Sequence, residues 1–459
     1  MSLLIRNANI ANADSSQLAD IFIEKGVIQA VGVHLSTSAE RVIEATGKVV
    51  IPGAVDVHTH MNIDMGFCQS CDDFYSGTVA AAFGGTTAIV DHMGFGPAGC
   101  SLMHQLEVYH QWASAQAVID YGFHGTIQHV DEQILNEMPE MIAKGVSSFK
   151  LYLTYGYKLS DYDALRALKR LGSLGAITCV HPENDDVIRL NKEQLQRSEM
   201  MHLPIAHALS RPAECETEAI TRMLNLAKLA DEAPLYIVHL SNGLGLDYLR
   251  LARQKQRHVY VETCPQYLFL SDERYRQPNI EDGLCHILSP PLREKHHQAQ
   301  LWQGLQDGSI DTVATDHCAF TRAQKRLGLG DINRCPNGLP GVETRLPLMF
   351  SEGVSQGRIT INKLVELLCT RPAQLFGLTN KGAIKPGFDA DIVIIDPSTS
   401  ETIQANMEHS KAGFTPYAGM ECNGFPEYTI ARGEVIVEGG ELHAQAGRGR
   451  YIARSLAKL

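Results

Sequence analysis

The chain contains no apolar run approaching the ~20 residues needed to cross a bilayer as a helix. It also lacks a basic excess. Forty Lys and Arg stand against 52 Asp and Glu, a formal net charge of -12, which argues against a nucleic-acid or anionic-membrane partner. The first residues, Met1-Ser2-Leu3-Leu4-Ile5-Arg6-Asn7, carry no basic region ahead of their short apolar stretch, so no secretion signal is expected. The 11 cysteines are odd in number and scattered, which fits reduced thiols and a cytoplasmic location. Internal repeats and low-complexity segments are missing too. What the chain does have is size: 459 residues, 44% hydrophobic and 20% charged, enough for one large domain and a smaller one.

Eight apolar, β-branched runs recur along the middle of the sequence, each ending in a polar residue suited to chemistry. The first reads as one buried strand from Val49-Val50-Ile51 through Ala54-Val55 and closes in Asp56-Val57-His58-Thr59-His60. Later runs end at Asp91-His92, Gln128-His129, Lys150, His181, His239, Glu262-Thr263 and Asp316-His317. Between them lie stretches of helical period, such as Ile134, Leu135, Met138, Met141 and Ile142 stopping near Gly145, and Ile220, Leu224 and Ala227 after Arg211-Pro212. Strands alternating with helices imply parallel βαβ units, and eight of them imply a TIM (β/α)8 barrel with its active site at the C-terminal strand ends. The candidate ligands all fall there.

In a strand, His58 and His60 project to one side, about 6–7 Å apart, a chelating arrangement for a first-row metal. Four histidines and Asp316 supply nitrogen and oxygen donors suited to zinc or manganese. Lys150 is the odd member. A barrel-mouth lysine beside cations has its pKa depressed by burial and by the metal charge. The free amine can react with carbon dioxide, and the resulting carbamate (N6-carboxylysine) can bridge two metals through its two oxygens. Carbamate, Asp316 and a bridging hydroxide then each offset one positive charge of the two cations.

Outside the barrel, residues 3–55 and 381–440 alternate short apolar runs with Gly-containing turns. The economical reading pairs both ends into one small β-sandwich, giving a sandwich domain of 1–53 with 381–459 and a barrel of 54–380. Residues 444–459 are basic and read as a tail or an oligomer contact.

At this point the chain resembles the amidohydrolase superfamily with a binuclear metal site, and within it the dihydropyrimidinases and hydantoinases. The resemblance rests on His58-Thr59-His60, Lys150, His181, His239 and Asp316 together with Ser70-Cys71-Asp72-Asp73-Phe74, Gly84-Gly85-Thr86-Thr87, Asp91-His92-Met93-Gly94-Phe95-Gly96-Pro97, Glu262-Thr263-Cys264-Pro265-Gln266-Tyr267-Leu268, Ala314-Thr315-Asp316-His317-Cys318 and Asn337-Gly338-Leu339-Pro340-Gly341-Val342-Glu343. It covers essentially the whole chain. It implies that His58 and His60 bind the more buried metal, His181 and His239 the second, and carbamylated Lys150 bridges them. Asp316 ligates the first metal and acts as general base, while hydroxide between the metals attacks a ring carbonyl. Tyr155 hydrogen-bonds the developing oxyanion, and backbone groups of Ser289 and Asn337 hold the cyclic amide. The resemblance also implies two divalent metals, zinc first and manganese second, carbon dioxide for the lysine, and a homotetramer.

Substrate choice turns on a missing residue. Dihydroorotases similar to this chain commonly place an arginine two residues after the second motif histidine; here Asn62 stands there, preceded by Met61. An anionic ring would lose a charge-assisted bond. Met65, Phe67, Tyr152, Tyr157 and Leu159 instead offer apolar or aromatic packing. The expectation is a cyclic amide hydrolase opening 5-substituted hydantoins, aryl ones preferred, to N-carbamoyl amino acids, with dihydropyrimidines as a further class and dihydropyrimidinase or allantoinase activity as the alternative. Adaptor proteins of this fold lose their ligands, whereas all six positions are intact here. Gly94-Phe95-Gly96-Pro97-Ala98-Gly99 matches G-x-G-x-x-G, with Asp120 near the ribose-carboxylate spacing, but a nucleotide site would leave the histidines unexplained. Cys68 and Cys71 have no second pair to complete a zinc knuckle, and His92, His129 and His317 suit supporting rather than ligating roles.

Overall fold

The computed structural model describes residues 2–457. Eight strands, Ala54–Thr59, Thr86–His92, Asp120–Thr126, Ser148–Tyr152, Ile177–His181, Leu235–Ile237, Val259–Thr263 and Thr312–Val313, lie side by side in chain order. All seven junctions are parallel. Every residue of these strands is buried, because helices cover the outside and side chains fill the inside. The seam between first and last strands is closed by a parallel bridge of Thr59 to His317 and by the buried Arg345, whose guanidinium donates to Val55 O and Val313 O at 3.0 Å each. This is the TIM barrel that the strand–helix alternation implied.

Five of the barrel helices start where the sequence supplies a side-chain cap. Asp73, Ser101, Asp131, Ser160 and Asn242 each accept a backbone N–H in the first turn of the following helix, satisfying donors a helix start would otherwise leave open. Glu132–Ala143 and Ala213–Leu229 coincide with the two periodic stretches noted in the sequence. Among the described residues no helix is long and apolar enough to cross a membrane.

The two chain ends join in a separate nine-stranded sheet. Val49–Pro52 pairs in parallel with Ser2–Ala11 on one side and antiparallel with Ile392–Ile395 on the other. All four residues Ile392 to Ile395 are buried, since the sheet is covered on both faces. Ile392 and Ile394 enter the sheet's own core with Ile5, Ile21 and Ile23, while Val393 and Ile395 pack against the barrel. The expectation of one strand from Val49 to Val55 is corrected here. Val49–Pro52 belongs to the outer sheet and Ala54–Thr59 to the barrel. The break falls at Gly53, where the backbone passes so close to Thr87 that a Cβ would lie 2.1 Å from its Oγ1.

The basic C-terminal segment is docked. Its backbone runs along the start of the third barrel strand, with Tyr121 N–H donating to Arg450 O at 3.0 Å and Ile452 N–H to Tyr121 O at 2.7 Å. Arg454, 3% exposed, donates to Phe376 O and Phe123 O. The segment thereby closes the N-terminal mouth of the barrel, opposite the candidate ligands.

Candidate active site

Five of the six candidate ligands sit at or just past the C-terminal end of a barrel strand, the end at which a parallel barrel projects side chains into its mouth; Lys150, expected to close its run, lies in the middle of strand Ser148–Tyr152. His58 lies in the first strand and His60 directly follows it; Lys150 is in the fourth, His181 ends the fifth, and His239 and Asp316 follow the sixth and eighth. His58 Nε2 and His60 Nε2 approach Asp316 Oδ1 at 3.1 and 3.0 Å. His239 Nε2 and His181 Nδ1 are 2.9 Å apart. Lys150 Nζ lies 3.4 Å from His58 Nε2. The structure thus brings all six together, as a cluster of three and a cluster of two with the lysine beside them. His239, Asp316 and Tyr155 all have positive φ, at 40°, 55° and 73°. Non-glycine residues held there are strained, and such strain gathers where surrounding structure fixes a functional geometry.

Buried carboxylates hold the imidazoles in place. His58 Nδ1 donates to Glu262 Oε1 at 2.6 Å, leaving Nε2 facing the centre. His181 Nε2 donates to Glu183 Oε2 at 2.7 Å, leaving Nδ1 inward; Glu183 is itself paired with Arg211 at 2.6 Å. Thr315, beside Asp316, donates its hydroxyl to Asp56 at 2.7 Å. Burial pulls His60 down to about 4, and lowers the Lys150 amine from its ordinary value. Burial opposes ionisation of Asp316, but the His58 and His60 rings outweigh it and hold the carboxyl well below the usual range. Burial pushes the Tyr155 hydroxyl up to about 12, so it stays a hydrogen-bond donor at neutral pH.

These donors fit divalent cations. The ligand atoms of His58, His60 and Asp316 all lie within 4.8 Å of one another. Two imidazole nitrogens facing each other at 2.9 Å, as in His181 and His239, converge without a carboxylate between them. Among the described residues no carboxylate lies within 4 Å of the fully buried Lys150 Nζ, so an ammonium there would be an unpaired buried charge.

Above the donors opens a cavity of about 750 Å³. Met65, Phe67, Tyr152, Tyr155, Tyr157, Ser289 and Asn337 line it. Leu159 does not: its side chain packs into the hydrophobic core, because its N–H is turned back to Tyr152 O at 2.9 Å. Phe95, Val108 and Trp112 line the cavity as well, and sequence reasoning passed over them. Phe95 belongs to the G-x-G-x-x-G segment, which is no nucleotide loop but a wall, its ring 5.1 Å from Tyr152 and 4.5 Å from Tyr157. Gln105, Val108 and Trp112 share one face of helix Leu102–Gln116 at a spacing of three to four residues, the signal that could have found them. Among the described residues no arginine lines the cavity. Asn62, in the position of interest for anionic rings, accepts from Phe74 N–H at 3.0 Å and serves a turn.

The remaining motifs fall elsewhere. Asp120 is bonded to Lys381 at the far end of the barrel. Cys68 and Cys71 are free thiols. His92 packs face to face with His60 at 5.3 Å, His317 bonds Asp72 at 3.0 Å, and His129 lies 3.6 Å from Asp131.

Comparison with known proteins agrees with this architecture. Residues 49–436 match the model of the amidohydrolase family. The chain is 54% identical over 457 residues to D-phenylhydantoinase of Escherichia coli O157:H7, covering 99% of this chain and 98% of that one. Its backbone superposes on the crystal structure of dihydropyrimidinase from Brevibacillus agri NCHU1002 with a TM-score of 0.98, at 38% identity and 100% coverage of both chains. D-hydantoinase from a Bacillus sp. AR9 gives 0.96 at 40% identity, with 99% of each chain covered.

Proposed function

The chain belongs to the amidohydrolase family, as a cyclic amidohydrolase of hydantoinase and dihydropyrimidinase type, and from that premise we propose that it opens 5-substituted hydantoins, aryl ones in preference, to N-carbamoyl amino acids, with dihydropyrimidines as a second class. Two divalent cations, zinc ahead of manganese, would be held by His58, His60 and Asp316 and by His181 and His239, and Lys150 would carry carbon dioxide as a carbamate that supplies a further anionic ligand. When bound, such cations polarise a carbonyl and lower the pKa of water to about 7.

The protein's own groups do the rest. Asp316 takes the proton of the attacking water and returns it to the ring nitrogen as the C–N bond breaks, so one carboxylate serves both steps. The Tyr155 hydroxyl donates to the carbonyl oxygen as it gains charge. Backbone groups of Ser289 and Asn337 hold the cyclic amide, the two residues being joined through Asn337 Nδ2 to Ser289 Oγ at 3.1 Å. Met65, Phe67, Phe95, Tyr152 and Tyr157 receive the exocyclic group.

The observation that carries this reading is the cavity itself: six convergent donors at its floor, an aromatic wall and no arginine. A turnover panel of D- and L-phenylhydantoin, hydantoin, dihydrouracil, allantoin and dihydroorotate tests it. A phenylhydantoin should give the highest kcat/KM and dihydroorotate the lowest; allantoin or dihydroorotate at the top would overturn the assignment. Elemental analysis decides zinc against manganese. The same reading divides the chain into 1–53 with 381–459 and 54–380, and assembles it as a cytoplasmic homotetramer, for which sedimentation gives the mass.

A further inference from the structure

Glu262, in the seventh barrel strand, takes no part in the chemistry above, yet it touches both halves of the centre. Its Oε1 accepts from His58 Nδ1 at 2.6 Å and from the backbone N–H of His239 at 2.9 Å. Its Oε2 accepts from the Tyr236 hydroxyl at 2.8 Å, and Tyr236 is in turn bonded to Thr312 at 2.6 Å. Glu262, Thr312, His58 and His239 are at most 1% exposed. Among the described residues no lysine or arginine stands within 4 Å of this carboxylate. A buried carboxylate without a counter-ion keeps its hydrogen-bond donors tightly ordered, because losing any one leaves charge unsatisfied.

Two consequences follow from one oxygen atom. With Nδ1 donating to Glu262, the His58 lone pair on Nε2 is the one turned toward Asp316 and Lys150. With its amide anchored to the same oxygen, His239 is held at φ 40°, a conformation L-residues rarely adopt, and from it Nε2 reaches His181 Nδ1. The rings of His58 and His239 stack at 5.5 Å across the centre. Other supporting carboxylates serve one side alone: Glu183 bonds His181, and Asp91 bonds Thr59 and Met61.

We infer that Glu262 is a positioning residue shared by the two metal subsites, setting the His58 tautomer in one and the His239 backbone in the other, so that the subsites gain and lose affinity together. This rests on the ligand assignment made under the proposed function. The test is a metal titration that needs no substrate. Apoprotein is titrated with Co(II) against a competing chelator, reading the visible absorption of each bound equivalent. Glu262→Gln should weaken both binding steps, each by roughly tenfold to a hundredfold, the usual effect of removing such a partner. Glu183→Gln should weaken one step and spare the other. Tyr236→Phe, which leaves Glu262 in place, should weaken both steps by a smaller factor. Circular dichroism and thermal melts establish that each variant is folded; if Glu262→Gln is not, Tyr236→Phe carries the test. Native affinity at both steps, or a loss confined to one, overturns the inference. Failure of the ligand assignment itself would show in the parent protein, as apoprotein that takes up no Co(II), and would remove the inference with it.

Discussion

Phe95 offers the sharpest test of how the pocket selects its substrate. Its ring stands 4.5 Å from Tyr157 and 5.1 Å from Tyr152, so it continues an aromatic wall rather than standing alone. Truncation to Ala would remove one ring face from a bound phenyl group. At about 25 cal/mol per Å² of apolar surface, roughly 60 Å² of lost contact is worth about 1.5 kcal/mol, or roughly tenfold in kcat/KM. The unsubstituted ring of hydantoin has no group reaching that wall. The assay is therefore a ratio, kcat/KM for phenylhydantoin over kcat/KM for hydantoin, in Phe95→Ala and parent protein, with metal content measured in both. The ratio should fall about tenfold at constant metal content. Leu159→Ala is the control: its side chain lies in the core rather than the cavity, so it should cost about 2–4 kcal/mol of stability and leave the ratio unchanged. Equal losses on both substrates in Phe95→Ala, or a changed ratio in Leu159→Ala, would refute the assignment of the wall.

Lys150→Ala should lose both metals and turnover, with short carboxylic acids restoring part of each; full metal content with full turnover would exclude the carbamate. Asp316→Asn should keep part of its metal yet lose at least about a hundredfold in kcat, as expected when a positioned acid–base group is neutralised; near-parent kcat would remove it as the base. Burial opposes ionisation of Asp72, but the His317 ring, the Ser410 hydroxyl and the Lys411 amide outweigh it and bring it down to about 2. A depressed carboxylate stabilises the fold above its ordinary pKa and loses that contribution as pH falls through the depressed value. Urea melts should therefore show Asp72→Asn less stable than the parent by about 2 kcal/mol at neutral pH, with the gap narrowing between about pH 4 and 2. A pH-independent gap would mean that the charge plays no part.

The proposed ligands were readable because each closes an apolar run in the sequence, and parallel barrel strands deliver their C-terminal ends to one mouth. His58, His60, Lys150, His181, His239 and Asp316 are separated by long stretches of sequence and converge for that reason alone. What remained hidden depended on contacts between elements. The split falls at Gly53, where Thr87 approaches too closely for a side chain, a contact no local pattern reports. Leu159 reads like its neighbours Tyr155 and Tyr157, but the turn that returns its N–H to Tyr152 O sends it inward. Phe95 was obscured by a glycine pattern that here frames a loop wall. Glu262 ends a strand like the ligands do, and its value lies in what it touches across the barrel. The C-terminal segment looked unattached because its partners, Tyr121 and Phe123, lie more than 300 residues earlier.

The outer sheet also constrains how the molecule can be made. Val49–Pro52 pairs with Ile392–Ile395, and the start of the third barrel strand pairs with residues 450–452. A ribosome emitting this chain therefore releases Val49–Pro52 long before its partner Ile392–Ile395 exists, although Ser2–Ala11 can already pair with Ser16–Glu24. Ile5, Ile21 and Ile23 lack the cover of Ile392 and Ile394 until most of the sequence has emerged. Completion of the outer sheet is thus a late event, and truncation before Ile392 removes the cover of strands at the other end of the chain.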